Sequence, residues 1–292
     1  MRIEVLIDVK TTLGEGPLWD ADQERLYFID SFDGRVFRTT VDGGELRAWD
    51  VPAKIGSMAL RKDGRGAIVS LQTGFHALDF GTGDVELIHD PEPNLPANRL
   101  NDGKVDRHGR FFAGSMDTQE AGAFGSLYRL DPDFSVTKID KDIVCSNGPC
   151  FSPDDKTFYF NDTWSGEIWA YDYDLATGTA SNRRTFAKVD MSRGGAADGS
   201  TVDAEGFLWN ALVYDGRLVR YAPDGSIDRI IDMPVKKITS VMFGGPNLDI
   251  LFVTSMAKPP LPRFPGDGVQ RGSLFAIYDL GIRGIPEPRF GA

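Results

Sequence analysis

The chain has 292 residues, 41% of them apolar and 26% charged, with a formal net charge of −11 and a pI near 4.8. That composition excludes a disordered chain. The acidic balance, with no cluster of Lys and Arg, excludes a nucleic-acid partner. No apolar run reaches the roughly 18 residues that cross a bilayer, so no membrane partner is expected. Met1-Arg2-Ile3-Glu4-Val5 does not open a signal peptide, and the chain is expected in the cytoplasm. Its two cysteines, Cys145 and Cys150, match no zinc spacing and read as buried thiols.

Aspartate outnumbers glutamate 33 to 10, and 33 glycines punctuate short apolar runs. Asp and Gly favour turns, so the chain reads as all-β. A strand-like segment, Ile3–Asp8, comes first and stands alone. Trp19 then precedes the turn Asp20-Ala21-Asp22, followed by the apolar run Leu26–Ile29 and, after Gly34, by Arg35-Val36-Phe37. The pattern returns with Leu60 before Arg61-Lys62-Asp63-Gly64, Val105 before Asp106-Arg107-His108-Gly109, and Phe151 before Ser152-Pro153-Asp154. It returns again with Val202 before Asp203-Ala204-Glu205-Gly206 and Phe243 before Gly244-Gly245-Pro246. Outer strands read clearly in five units, such as Val85–His89 and Ile227–Asp232, but not in the sixth. Six units at spacings of about 41 to 51 residues predict a six-bladed β-propeller. A β-sandwich is the alternative, but it has no reason to repeat six times. The expected organisation is one domain, residues 1–292, with the strand at 3–8 completing the last blade and closing the ring.

Four residues before each turn-preceding apolar residue stand Glu15, Gly56, Asn101, Asn147, Asp198 and Thr239. In a propeller these positions start the innermost strands and converge at one end of the central tunnel. Two carboxylates and an amide carbonyl, with only Arg99 to offset them, suit a divalent cation. Hard oxygens favour Ca²⁺, Mg²⁺ or Mn²⁺, and Fe²⁺ and Zn²⁺ accept such sets too. Asn or Asp before Gly also caps ordinary turns, but a dry tunnel has no use for several buried acceptors without donors. Other catalytic signals are weak. G-x-S-x-G is absent, and none of His76, His89 and His108 is placed to serve a triad. Ser135-Val136-Thr137-Lys138 and Ser255-Met256-Ala257-Lys258 fit S-x-x-K only by coincidence.

The stretches Leu13-Gly14-Glu15-Gly16-Pro17-Leu18-Trp19, Asn98-Arg99-Leu100-Asn101-Asp102-Gly103, Ser146-Asn147-Gly148-Pro149 and Asp198-Gly199-Ser200 resemble the senescence marker protein 30 / gluconolactonase / luciferin-regenerating enzyme-like family. The fourth-blade motif Ser146-Asn147-Gly148-Pro149-Cys150 is similar to that of bacterial pentonolactonases. The resemblance covers essentially the whole chain. It implies a propeller with a single divalent metal, Ca²⁺ foremost, held by Glu15, Asn147 and Asp198. It also implies a small-molecule sugar lactone as substrate, such as a glucono-, xylono- or arabinonolactone, bound by Arg99 and Asn101. Animal members carry a substrate-facing Glu soon after a Met. Here Met116 is followed by Asp117-Thr118-Gln119-Glu120, and either Gln119 or Glu120 would take that role. Asp198 is the expected base. A promiscuous metal-dependent esterase or organophosphate hydrolase, and a non-catalytic calcium-binding propeller, are the rival readings. A loop over 258–268, rich in proline, is expected to wall the mouth.

Overall fold

Six four-stranded antiparallel sheets stand in a ring in the computed structural model, which describes residues 1–258 and 266–291. The expected wall at 258–268 lies largely outside the described residues. The innermost strands are Gly14–Asp20, Ile55–Leu60, Asn98–Val105, Ser146–Phe151, Ala196–Val202 and Ile238–Gly244, one to each blade. Each touches the next around the ring, and the sixth touches the first. Among the described residues there is no helix. The fold is a six-bladed β-propeller, and the six positions that the repeat marks out fall among the first four residues of its inner strands.

Alternation explains the packing. A strand presents one face to each side, and a blade buries both faces only against its two neighbours. The apolar clusters accordingly lie between blades. Trp209, Leu218 and Ile231 of blade 5 pack on Val241, Leu251 and Phe275 of blade 6. Trp19, Phe28 and Phe37 of blade 1 pack on Phe252 and Leu274 of blade 6. The sixth blade takes its outer strand from the start of the chain: Arg2–Ile7 pairs with Leu274–Tyr278, with Ile3 opposite Ile277. This is the outer strand that the sixth unit does not supply itself.

The inner strands share a second feature. Each pairs with its neighbour through a shift of register just after its start: between Glu15 and Leu18, Ile55 and Ser57, Leu100 and Gly103, Asn147 and Cys150, Ala197 and Ser200, and Ile238 and Val241. A bulge bends a strand and re-aims its side chains. Six bulges at one level turn that level into a ring of inward-directed groups.

The base of the tunnel is crossed by residues 283–291. Arg283 O accepts from Ala204 N, Gly284 N donates to Leu248 O, Phe290 N donates to Leu60 O, and Gly291 N donates to Gly109 O. Arg289 Nη2 reaches both carboxylate oxygens of Asp20 at 2.6 Å, and Glu287 lies 3.4 Å from Lys104 Nζ. This strap joins blades 1, 2, 3, 5 and 6 across the base, at the end away from the strand starts.

Candidate active site at the tunnel mouth

At the strand starts a cavity of about 40 Å³ is lined by Glu15, Arg99, Asn101, Asn147 and Asp198, with Glu120 at its rim. It has room for more than one water-sized group. Four of the six register-matched positions therefore meet here. The other two are accounted for by packing. A Cβ on Gly56 would lie 2.4 Å from Asn101 Cα, so glycine there lets blade 3 come close. Thr239 turns away and donates its hydroxyl to Gly14 O.

The amides are oriented by a relay. Arg99 can only donate, so Asn101 presents Oδ1 to it, at 2.6 Å from Nη1. The Nδ2 of Asn101 then donates to Ser146 O at 2.7 Å and to Asn147 Oδ1 at 3.1 Å. Asn147 Nδ2 in turn donates to Thr163 Oγ1 at 2.8 Å. Each step dictates the next, and Asn147 keeps its carbonyl oxygen on the cavity side. Asn101 O is itself held by Ser57 Oγ at 2.7 Å.

The carboxylates are not satisfied in the same way. Glu15 is 8% exposed and accepts, among the described residues, one N–H, from Gly16 at 3.3 Å. Asp198 is 6% exposed and is steadied by the Gly199 N–H. Burial, and after it the charges of Asp198 and Asp102, push the Glu15 pKa well above the carboxylate range. Burial, then Asp102 and Glu120, do the same to Asp198. Arg99 opposes both rises but is outnumbered. Just below, Asp102 accepts from Gly103 N at 2.8 Å and Gly148 N at 3.0 Å, and burial raises its pKa to about 6. Carboxylates that are dry and crowded, beside an amide carbonyl, form the donor set of a hard dication. The residues present fit such an ion.

Glu120 and Gln119 separate cleanly. The Asp117 carboxylate accepts from Gln119 N at 3.1 Å and Ala121 N at 3.0 Å, winding the loop into a tight turn. With φ of 51° Glu120 points into the cavity, whereas Gln119 is exposed and does not line it. Of the two candidates for the substrate-facing role, Glu120 is the one that the structure brings to the cavity with the other site residues. Beside Trp164, no motif marks Met116, Cys145, Thr163 and Tyr214, which also line the wall. The available signal for Thr163 and Tyr214 was their place in blade-tip turns, Thr163-Trp164-Ser165-Gly166 and Tyr214-Asp215-Gly216, at the mouth end of each hairpin. Cys145 is no nucleophile, because burial pushes its thiol pKa well up and its Sγ lies 3.7 Å from Met116 Sδ.

A propeller whose tunnel mouth gathers buried carboxylates and amides defines a small-molecule or cation-binding protein. The chain belongs to the SMP-30/Gluconolactonase/LRE-like family, whose model matches residues 13–257. Regucalcin of Xenopus laevis is 36% identical over 296 residues, covering 99% of this chain and 98% of that protein. Among solved structures, a calcium-binding regucalcin of Agrobacterium tumefaciens is similar with a TM-score of 0.89 and 29% identity, covering 98% of this chain and 96% of that one. A gluconolactonase of Xanthomonas campestris is similar with a TM-score of 0.76 and 25% identity, covering 94% and 88%.

Proposed function

We propose that the chain hydrolyses the lactone of a neutral aldonic acid, with a divalent cation held by Glu15, Asn147 and Asp198. The observation that carries this reading is the pair of buried, charge-crowded carboxylates beside an oriented amide carbonyl at the head of a closed-base tunnel. The gluconolactonase relative supports the substrate class. A bound dication would supply positive charge that polarises a lactone carbonyl and acidifies nearby water.

The chain's own residues divide the remaining work. Asp198 accepts a proton from the attacking water, whose oxygen bonds to the carbonyl carbon. As the ring C–O bond breaks, that proton passes to the leaving ring oxygen, and the product is a hydroxy acid. Arg99 donates to the developing oxyanion, and burial strengthens that contact because little water competes. Asn101 fixes the Arg99 fork through its Oδ1. Glu120, at the rim, accepts from a ring hydroxyl. Among the described residues no phosphate-binding loop or basic cluster lines the mouth, so an unphosphorylated sugar fits best.

The second reading is a calcium-binding propeller without catalysis, favoured by the relative described as calcium-binding. A proton-release assay separates the two. Purified protein with a panel of sugar lactones is expected to release acid in proportion to lactone opened, and chelator is expected to stop it. Ca²⁺ binding without acid release from any lactone would favour the second reading.

A further inference from the structure

The motif-matched residues come from blades 1, 3, 4 and 5, and an aromatic pair from blades 4 and 5 joins them in lining the cavity. Trp164 and Tyr214 come from the tips of neighbouring hairpins in blades 4 and 5. Their rings stack with centroids 6.4 Å apart and planes 14° apart. Both line the same cavity as Arg99 and Asp198. They pack on a buried base of Leu13, Val213 and Met256. Two further observations show that the wall is held in place. Tyr214 has a φ of 69°, a left-handed backbone that bulky residues avoid. Of the residues lining the cavity, only Glu120 shares that geometry. The hairpin carrying Tyr214 is pinned by Asp215, whose buried carboxylate pairs with Arg193 at 2.8 Å and with Arg217. Trp164 also reaches across to blade 3, where its Nε1–H donates to Glu120 Oε2 at 2.5 Å.

We propose that Trp164 and Tyr214 form an aromatic platform for the C–H face of a sugar ring, and that the Trp164 indole fixes Glu120 to accept from that ring's hydroxyls. The proposal rests on the lactonase reading for its substrate and names what selects it. Every sugar ring has one face richer in C–H bonds, and these meet the electron-rich face of an aromatic ring favourably. A simple ester offers the carbonyl chemistry but neither the C–H face nor the hydroxyls. The platform therefore makes the site selective for cyclic polyols. Both Trp164 and Glu120 are positioning or binding groups here, and neither takes part in bond breaking.

The test uses the full chain loaded with Ca²⁺, two substrates and one ligand that cannot react. Trp164→Ala and Tyr214→Ala are expected to raise KM for xylonolactone about three- to tenfold, the worth of one ring contact, with a smaller change in kcat. The rise for methyl acetate, an ester with neither a ring face nor hydroxyls, is expected to be smaller. Trp164→Phe keeps a face and loses the bond to Glu120, so its KM is expected to lie between the two. D-xylose, with no ester to cleave, is expected to change the wild-type tryptophan fluorescence and to change that of Trp164→Phe much less. Unchanged KM for xylonolactone in both alanine variants overturns the platform. Equal losses for the lactone and methyl acetate also overturn it, because they signal general damage and not recognition. If the wild type opens no lactone yet D-xylose still alters its fluorescence through Trp164, the lactonase reading fails and the platform stands. If D-xylose leaves the wild-type signal unchanged, the platform falls whatever the turnover.

Discussion

Glu15 and Asp198 line the same cavity, yet the proposed chemistry gives them different work. Glu15→Gln and Asp198→Asn each remove one negative charge at nearly constant shape, and both are expected to weaken cation affinity. At saturating cation Glu15→Gln should recover most of its turnover, whereas Asp198→Asn should stay down by roughly 10²-fold, the usual size of an acid–base contribution. Calorimetric affinities with turnover at saturation check this, and equal recovery would leave Asp198 a ligand only. Acidity gives a second expectation. Burial first, and neighbouring carboxylates second, raise the pKa values of Glu15 and Asp198. A carboxyl with a raised folded pKa binds its proton more tightly in the native state than in the unfolded chain. Metal-free protein therefore loses stability as pH rises from the unfolded pKa through the folded one, and a dication that replaces the proton restores it. The gap in Tm between calcium-loaded and chelated protein is expected to widen as pH rises above the usual carboxylate range; a gap that narrows would contradict the assignment. The carboxylates were legible in the sequence because the repeat supplied a register in which to compare them. Gln119 against Glu120 was not, because side-chain direction there depends on the turn that Asp117 caps, and turns do not repeat.

The bulge is the element that converts a strand start into a binding position. Gly148 follows Asn147 with a φ of 62°, and an added Cβ would fall 2.3 Å from Asn161 Oδ1 and 2.6 Å from Ser200 Oγ. Its N–H is the one that the Asp102 carboxylate of the neighbouring blade accepts. Gly148→Ala is therefore expected to cost about 1–3 kcal/mol through backbone strain and to weaken cation binding by displacing Asn147. Thermal melts with a Ca²⁺ titration check both, and a variant with wild-type Tm and affinity would show that the bulge is tolerant. The glycines after Glu15, Asn147 and Asp198 mark the bulges in the sequence, but Asn101-Asp102 shows no such mark. The pairing of Trp164 with Tyr214 escaped motif reading for a related reason. Trp164 and Tyr214 lie in turns whose lengths differ from blade to blade, so no common column aligns them.

Closure of the ring is a property of the whole molecule. The strand Arg2–Ile7 supplies the outer edge of blade 6, and Leu6 and Ile7 pack on the cluster shared by blades 6 and 1. Removing residues 1–8 exposes a sheet edge and part of an inter-blade core. The truncated chain is expected to be insoluble or to melt well below the full chain; an unchanged melt would show that the pairing contributes little. The orphan strand and the missing sixth outer strand made this pairing readable from sequence. The strap at 283–291 was not readable, because its backbone bonds leave no pattern and its side-chain partners, Asp20 for Arg289 and Lys104 for Glu287, lie far away in sequence. The strap bears on function, since by covering the base it leaves the strand-start end as the way to the carboxylates. The central claim joins that mouth to a cation and a lactone. Its most direct test strips the purified protein with chelator, confirms the loss by elemental analysis, and returns Ca²⁺ stepwise while acid release from xylonolactone is followed. Turnover is predicted to be lost on stripping and to return in step with occupancy, reaching its plateau at about one equivalent per chain. Undiminished turnover by the metal-free protein would contradict the account.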